Sequence, residues 1–340
     1  MYFKVLFSNY IKNFLIIFFS LVLFYVFMDF MLNKSKLPDS INTNILYIFF
    51  KIGIASFVMY PLSLVFATIL TIINMVKKNE LVSFLSLGYS LKKLLIPIFS
   101  AGVFIISFFV SMQLFMNKSF NDRVDELLKG VNYNNTNMFF KFKNNVIYIQ
   151  KLDVIHKIAY NMKVFELKDN HPYKVSYIKK AYFKHNYWES DNTIDNLITN
   201  NKIITYKSKQ FFLRGFKPTI LNKLESKHDI SLKIAIETLF LLKNSYIDTN
   251  FLKTYIYSAI IPPLSFLLLS VLLFLKAPIH SRISNVGLYI FISIFSVIIL
   301  WGLFLIFKKM ALNNILSADI VFLTPFSILL GLTIYYLRKI

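Results

Sequence analysis

Cysteine is absent from this sequence, so no disulfide staples any part of it, and a domain exported from the cell interior must hold together by its own core. Glycine is scarce too. Not one of the eight glycines is followed by lysine, which excludes a Walker A loop, and they are too scattered to cradle a nucleotide phosphate. Gly88-Tyr89-Ser90 lacks the flanking glycine of a nucleophile elbow. His156, His171, His185, His228 and His280 show no metal-ligand spacing. Acidic residues are few, 17 against 38 basic ones, and the long apolar segments contain almost none. Asp29 and Asp319 fall near segment ends, which argues against a carrier that couples ion flow through midplane carboxylates. The chain reads as neither an ATPase nor another enzyme, and calls for no cofactor of its own.

What the sequence has in abundance is apolar surface. Hydrophobic residues make up 56% of the chain, with 37 Phe. Phe14 to Leu32, Ile45 to Val76, Leu94 to Met116, Tyr255 to Leu275, Val286 to Phe307 and Ile320 to Leu337 each approach the roughly 20 apolar residues that a helix needs to cross a bilayer. The expected fold class is therefore membrane α-helical, six spans in a 3+3 arrangement, with a polar domain inserted between the halves. The segments are 1–116, 117–250 and 251–340. The first span is too long for a cleaved leader and reads as an anchor. Lys4, Lys12, Lys77, Lys78, Lys92, Lys93, Lys276, Arg282, Arg338 and Lys339 all fall on one side, which the positive-inside rule makes cytoplasmic. Both termini are then cytoplasmic and residues 117–250 lie outside.

The net charge of +21 invites a nucleic-acid reading, but residues 117–250 hold 22 Lys or Arg against 13 Asp or Glu on the side away from nucleic acid. An anionic lipid or glycolipid fits such exported basic surface; plain solvation is the simpler alternative. The inserted domain shows strand periodicity. Val175, Tyr177, Ala181 and Phe183 alternate onto one face, as do Tyr160, Met162 and Val164. Asn144-Asn145, Asp169-Asn170-His171-Pro172 and Glu189-Ser-Asp-Asn192 read as turns or breaks, and Ile203 to Phe212 as a further strand. A sandwich or jellyroll is expected. Ser231 is placed to cap a connector helix running to Lys243.

The most informative short segment is 77–93, where a helix is expected to lie along the membrane surface. Asn79 caps it, Leu81, Phe84 and Leu85 make its apolar face, Gly88 ends it and Ser90 caps the third span. Glu80 is its only carboxylate, either a simple cap or a charge offered to an arginine on a partner. On the outer side Lys34, Lys36, Lys51, Lys253, Lys308 and Lys309 gather near the interface. Lys51 lies inside the second span, where it either pairs with Asp29 and snorkels or meets a substrate phosphate or sugar acid.

The spacing Asn79-Glu80-Leu81 to Gly88-Tyr89-Ser90, followed by Pro97, resembles the coupling-helix signature of the LptF/LptG permeases, membrane subunits of the lipopolysaccharide exporter. Trp188, Pro262-Pro263, Pro278 with Arg282, and Pro325 extend the likeness over essentially the whole chain; Leu323-Thr324-Pro325 departs from it in lacking a Trp two residues before the proline. The resemblance implies a periplasmic β-jellyroll and an inner-membrane heterodimer with a paralogous permease. It implies docking of an LptB-type ATPase dimer, which uses the ATP and magnesium, through Glu80, Leu81, Phe84, Leu85 and Gly88. Spans one and five would border the cavity. From their place at the rim, Lys34, Lys36, Lys51, Lys308 and Lys309 either meet phosphates of lipopolysaccharide or, Lys51 aside, form a solvated rim; Tyr177 and Phe183 either line an acyl-chain path to a periplasmic jellyroll bridge protein or are ordinary core. A permease for another envelope lipid and a scaffold that transports nothing are the alternatives.

Overall fold

The computed structural model describes residues 2–37, 40–115, 120–129, 134–142, 145–153, 156–168, 171–185, 187–199, 202–212, 231–242, 249–279 and 285–339. Asn144, Asp169, Asn170, His228, His280, Arg282 and the side chain of Lys36, all singled out above, lie outside the described residues. The chain divides into two compact units. One comprises Met1–Met116, Phe120–Leu128 and Thr254–Ile340; the other comprises Asn117–Ser119 and Lys129–Lys253.

In the first unit, six helices are long and apolar enough to cross a membrane: α1 (Tyr2–Asn33), α2 (Ile41–Lys77), α4 (Leu91–Phe115), α7 (Asn250–Leu275), α8 (Val286–Leu312) and α9 (Ala318–Lys339). Two shorter helices join them, α3 (Glu80–Ser86) and α5 (Phe120–Lys129). α2, α4 and α7 bury half or more of their most apolar stretch, while α1, α8 and α9 leave most of theirs outward. One core joins Tyr10, Phe14 and Phe18 of α1 to Tyr60 and Leu64 of α2, Ile98 and Phe109 of α4, and Leu267 and Phe274 of α7. A second sets Val65 and Ile69 of α2 against Phe266 of α7, Phe304 of α8 and Phe322 of α9.

An apolar medium offers no water to unpaired polar groups, so they must be satisfied within the protein. Tyr10 donates to the Leu64 carbonyl at 3.0 Å, and Asn13 donates to the Thr71 hydroxyl at 2.8 Å, tying α1 to α2. Thr68, Thr71, Ser265 and Ser270 return their hydroxyls to the carbonyl four residues back. Pro262 and Pro263 sit inside α7 and leave the carbonyls of Ser258 and Ala259 without their helical donors, a cost that membrane helices tolerate.

α5 is a departure from the sequence reading, which started the strand domain at 117. Phe120, Val124 and Leu127 recur at helical spacing, but charged residues between them and the helix's short length hid the signal. Phe120 sits against Gly53, where a Cβ would come within 2.3 Å of its ring, and it stacks on Phe57. Val124 packs with Leu37 and Tyr47. Gly53 is thus what lets the ring reach the α2 backbone.

The second unit holds strands β1 (Asn134–Phe142), β2 (Asn145–Asp153), β3 (Ile158–Lys168), β4 (His171–Lys184), β5 (Tyr187–Thr199) and β6 (Lys202–Phe212), then α6 (Leu232–Leu242). The strands form one antiparallel sheet in sequential order, and no second sheet occurs among the described residues. Phe142 pairs with Asn145, Lys168 with His171 and Thr199 with Lys202, so only two residues separate the paired ends of these strands. Glu189–Asn192 does not break the chain as expected. It lies inside β5, where a register shift between Ser190 and Thr193 absorbs it as a bulge. The break falls instead at His185, whose φ of 46° turns β4 into β5. Ser231 accepts from Ile234 N–H at 3.4 Å and caps α6 as expected.

The sheet also corrects the faces assigned to Tyr177 and to Tyr160, which lies opposite Met162 and Val164. Ile147, Ile149, Met162, Val164 and Ile178 are buried in one phase of the alternation, and Leu152, Ala159, Ala181 and Trp188 in the other. The switch falls in one band across the sheet, at Gln150 and Lys151, at Asn161 with φ 48°, and at Lys179 and Lys180. A period-two count that runs straight through the irregularity therefore puts Tyr177 on the face of Ala181, whereas Tyr177 is exposed on the opposite face. Phe183 keeps its expected side, next to the buried Trp188 ring. A buried polar group lies on the inner face: Asp195 accepts from Ser208 at 2.6 Å and pairs with Lys174, which also pairs with Glu166. Burial pulls the Lys174 ammonium down, but the Glu166 and Asp195 carboxylates outweigh it and hold it above the usual lysine range.

Candidate coupling helix and outer-rim site

The turn between α2 and α4 is built from backbone conformation more than from side-chain caps. Asn79 adopts φ 58°, a left-handed conformation that asparagine tolerates better than most residues, and α3 starts at the next residue. Its side chain makes no capping hydrogen bond, contrary to the expectation from sequence. At the other end Gly88 has φ 83°, Gly88 N–H donates to the Leu85 carbonyl and Tyr89 N–H to the Phe84 carbonyl. That paired pattern is a Schellman motif, and the Phe84 and Tyr89 rings meet edge-on at 6.0 Å to complete it. Ser90 then accepts from Lys93 N–H and caps α4, as expected.

The result is a short helix fastened by one side. Leu81 is fully buried, and Phe84, Leu85 and Tyr89 pack on the core shared by α1, α2, α4 and α7. Tyr89 also meets Tyr2 of α1 at 4.7 Å. Glu80, Ser83 and Leu87 face away from that core, Leu87 being 73% exposed. The Glu80 carboxylate has Lys78 at 3.9 Å, a pair long and exposed enough to contribute roughly 0–1 kcal/mol. Leu87 was not picked out from sequence; an apolar residue off the buried helical phase was the available signal.

At the opposite ends of α1 and α2, Lys51 donates to one oxygen of Asp29 at 2.9 Å and Tyr47 donates to the other at 2.6 Å. Lys51 also stands 5.4 Å from the Tyr47 ring centre. Of the two readings of Lys51, the pair with Asp29 is thus formed in the structure. A counterpart in the carboxy-terminal half went unnoticed in the sequence: Tyr257 of α7 donates to Asp319 of α9 at 2.7 Å. Nearby, Lys308 lies 5.4 Å from the Tyr255 ring. Lys309 and Lys34 are exposed. Tyr177 and Phe183 occupy opposite faces of the sheet, so they do not form one site. α1 and α8 both turn apolar flanks outward, Phe19, Leu23 and Phe27 on the first, Phe291, Phe295 and Ile298 on the second.

A comparison with known families matches residues 4–339 to the family described as lipopolysaccharide export system permease LptF/LptG. The chain belongs to the LptF/LptG family. No curated protein matches it. Membership accounts for the six apolar helices and the intervening antiparallel sheet, and makes the chain a multi-pass inner-membrane component of lipopolysaccharide export rather than an enzyme in itself.

Proposed function

We propose that this chain is one half of a heterodimeric, ATP-driven permease that draws lipopolysaccharide or lipooligosaccharide from the inner membrane. In this reading α3 docks on an LptB-type ATPase dimer in the cytoplasm, both termini share that side, and the sheet belongs to a periplasmic jellyroll. The observation that carries it is the fastening of α3. Leu81, Phe84 and Leu85 lock one side of the helix into the same core as four spans, while Glu80 stays on the side open to a partner. A short lever so attached passes displacement to the spans, because packed cores shift between discrete arrangements and do not stretch.

ATP closure on the partner then squeezes a cavity bordered by α1 and α8, whose outward apolar flanks suit acyl chains, and the rim lysines Lys34, Lys36, Lys51, Lys308 and Lys309 meet the phosphates of the lipid. The inner face of the sheet, with Phe183 beside Trp188, receives acyl chains and hands them to the jellyroll of a bridge protein by edge-strand addition.

A photo-crosslinker at Phe183 tests this in the reconstituted complex. It should capture lipopolysaccharide only when ATP and the ATPase are present. Absence of capture at every inner-face position, with export intact, sinks the conduit.

A further inference from the structure

The face of the sheet opposite Phe183 has features that acyl-chain passage does not use. Residues paired directly across strands share a face, and the pairing sets Tyr148, Lys163 and Tyr177 side by side on β2, β3 and β4. The Lys163 ammonium lies between two rings, 5.9 Å from the centre of Tyr148 and 5.5 Å from that of Tyr177. In the next row Lys180 stands 5.6 Å from the ring of Tyr160, its strand partner, and beyond it Lys184 stands 5.9 Å from Tyr182. Three lysines are thus each held against a tyrosine on one face, where Tyr177, Lys180, Tyr182 and Lys184 are exposed and Tyr148, Tyr160 and Lys163 half-buried. Among the described residues, carboxylates enter this face only in the outermost row, as Asp153 and Glu189, and Asp153 accepts two bonds from His156.

We infer that this tyrosine–lysine face binds the phosphorylated or acidic saccharide of the lipid that the chain exports. The inference rests on the export function proposed above. Each ring restrains an ammonium that still has donors for an anionic oxygen, and the exposed parts of the Tyr177 and Tyr182 rings offer apolar surface to the C–H groups of a pyranose. Neighbouring strands within a row stand about 4.8 Å apart and side chains two residues on along a strand about 7 Å apart, spacings on the scale of consecutive sugar units. Acyl chains have no use for the ammonium groups, and a bare polyanion has none for the rings. The basic excess of 117–250, 22 residues against 13, supplies the matching charge. The acyl and glycan parts of one amphiphile would then travel on opposite faces of the same sheet.

The test uses the full chain in phospholipid nanodiscs and, as probe, the delipidated phosphorylated core oligosaccharide of a lipooligosaccharide. Lys163→Gln/Lys180→Gln should weaken binding about tenfold, with the melting transition unchanged, as loss of two partly screened charge contacts implies. Lys163→Arg/Lys180→Arg should restore it. Equal binding of the dephosphorylated oligosaccharide, equal binding of a polyglutamate peptide, or no effect of the glutamine changes would overturn the inference. Native mass spectrometry of the same nanodiscs with intact lipopolysaccharide separates the two levels. If the wild-type chain retains no intact lipid, the export reading fails. If it retains lipid while the oligosaccharide ignores Lys163 and Lys180, only the saccharide face fails.

Discussion

Glu80→Lys should strip the ATPase from the purified complex and abolish lipid-stimulated hydrolysis. Glu80 begins α3 on the side away from the core, so the change removes a favourable charge at a helix start, about 0.3–1 kcal/mol, and disturbs little of the fold. At a docked interface the same change replaces an attraction with a repulsion, and losing a charge pair there costs roughly 2–5 kcal/mol, or about 30-fold or more in affinity. The disparity makes the result readable. A folded permease that no longer copurifies the ATPase assigns Glu80 to coupling, whereas unchanged copurification and hydrolysis leave it a helix cap. Glu80→Gln should fall between the two.

The second large effect concerns Lys51 and Asp29, whose 2.9 Å pair is nearly enclosed by α1, α2 and the Tyr47 ring. Lys51→Met leaves the Asp29 carboxylate with Tyr47 as its remaining side-chain donor in that cluster, and such a half-broken pair costs about 3 kcal/mol. Asp29→Asn/Lys51→Met should recover most of that loss, because an ion pair replaced as a whole is close to neutral. Export then separates the two roles. If Lys51 also meets lipid phosphate, the double variant is stable yet exports roughly tenfold more slowly, one missing charged contact being worth about 1.4 kcal/mol. A stable double variant that exports at the wild-type rate makes the pair purely structural.

Which parts of this fold could be read from sequence follows from the range of the forces involved. The six apolar helices were legible because span length is a local property, and the Gly88 stop and Ser90 cap because each depends on two or three neighbours. Asn79 misled, since a residue that can cap with its side chain can equally turn the chain with its own backbone. Tyr177 misled for a different reason. The irregularity at Asn161 moves the buried phase in three paired strands together, and no strand read alone carries that information. Likewise the bonds of Asp29 to Lys51 and of Asp319 to Tyr257 link separate helices. The first was one of two open readings; the second had no local signature at all.

A permease of this kind moves lipopolysaccharide out of a membrane at the expense of ATP bound elsewhere. The chain, its paralogous permease and the ATPase dimer should therefore be reconstituted into phospholipid vesicles containing lipopolysaccharide, with a soluble jellyroll acceptor outside. Lipopolysaccharide should appear on the acceptor only with ATP, phospholipid should stay behind, and Glu80→Lys should reduce transfer to the level without nucleotide. Transfer that proceeds equally without ATP, or that carries phospholipid as readily as lipopolysaccharide, would contradict ATP-driven, lipopolysaccharide-selective export.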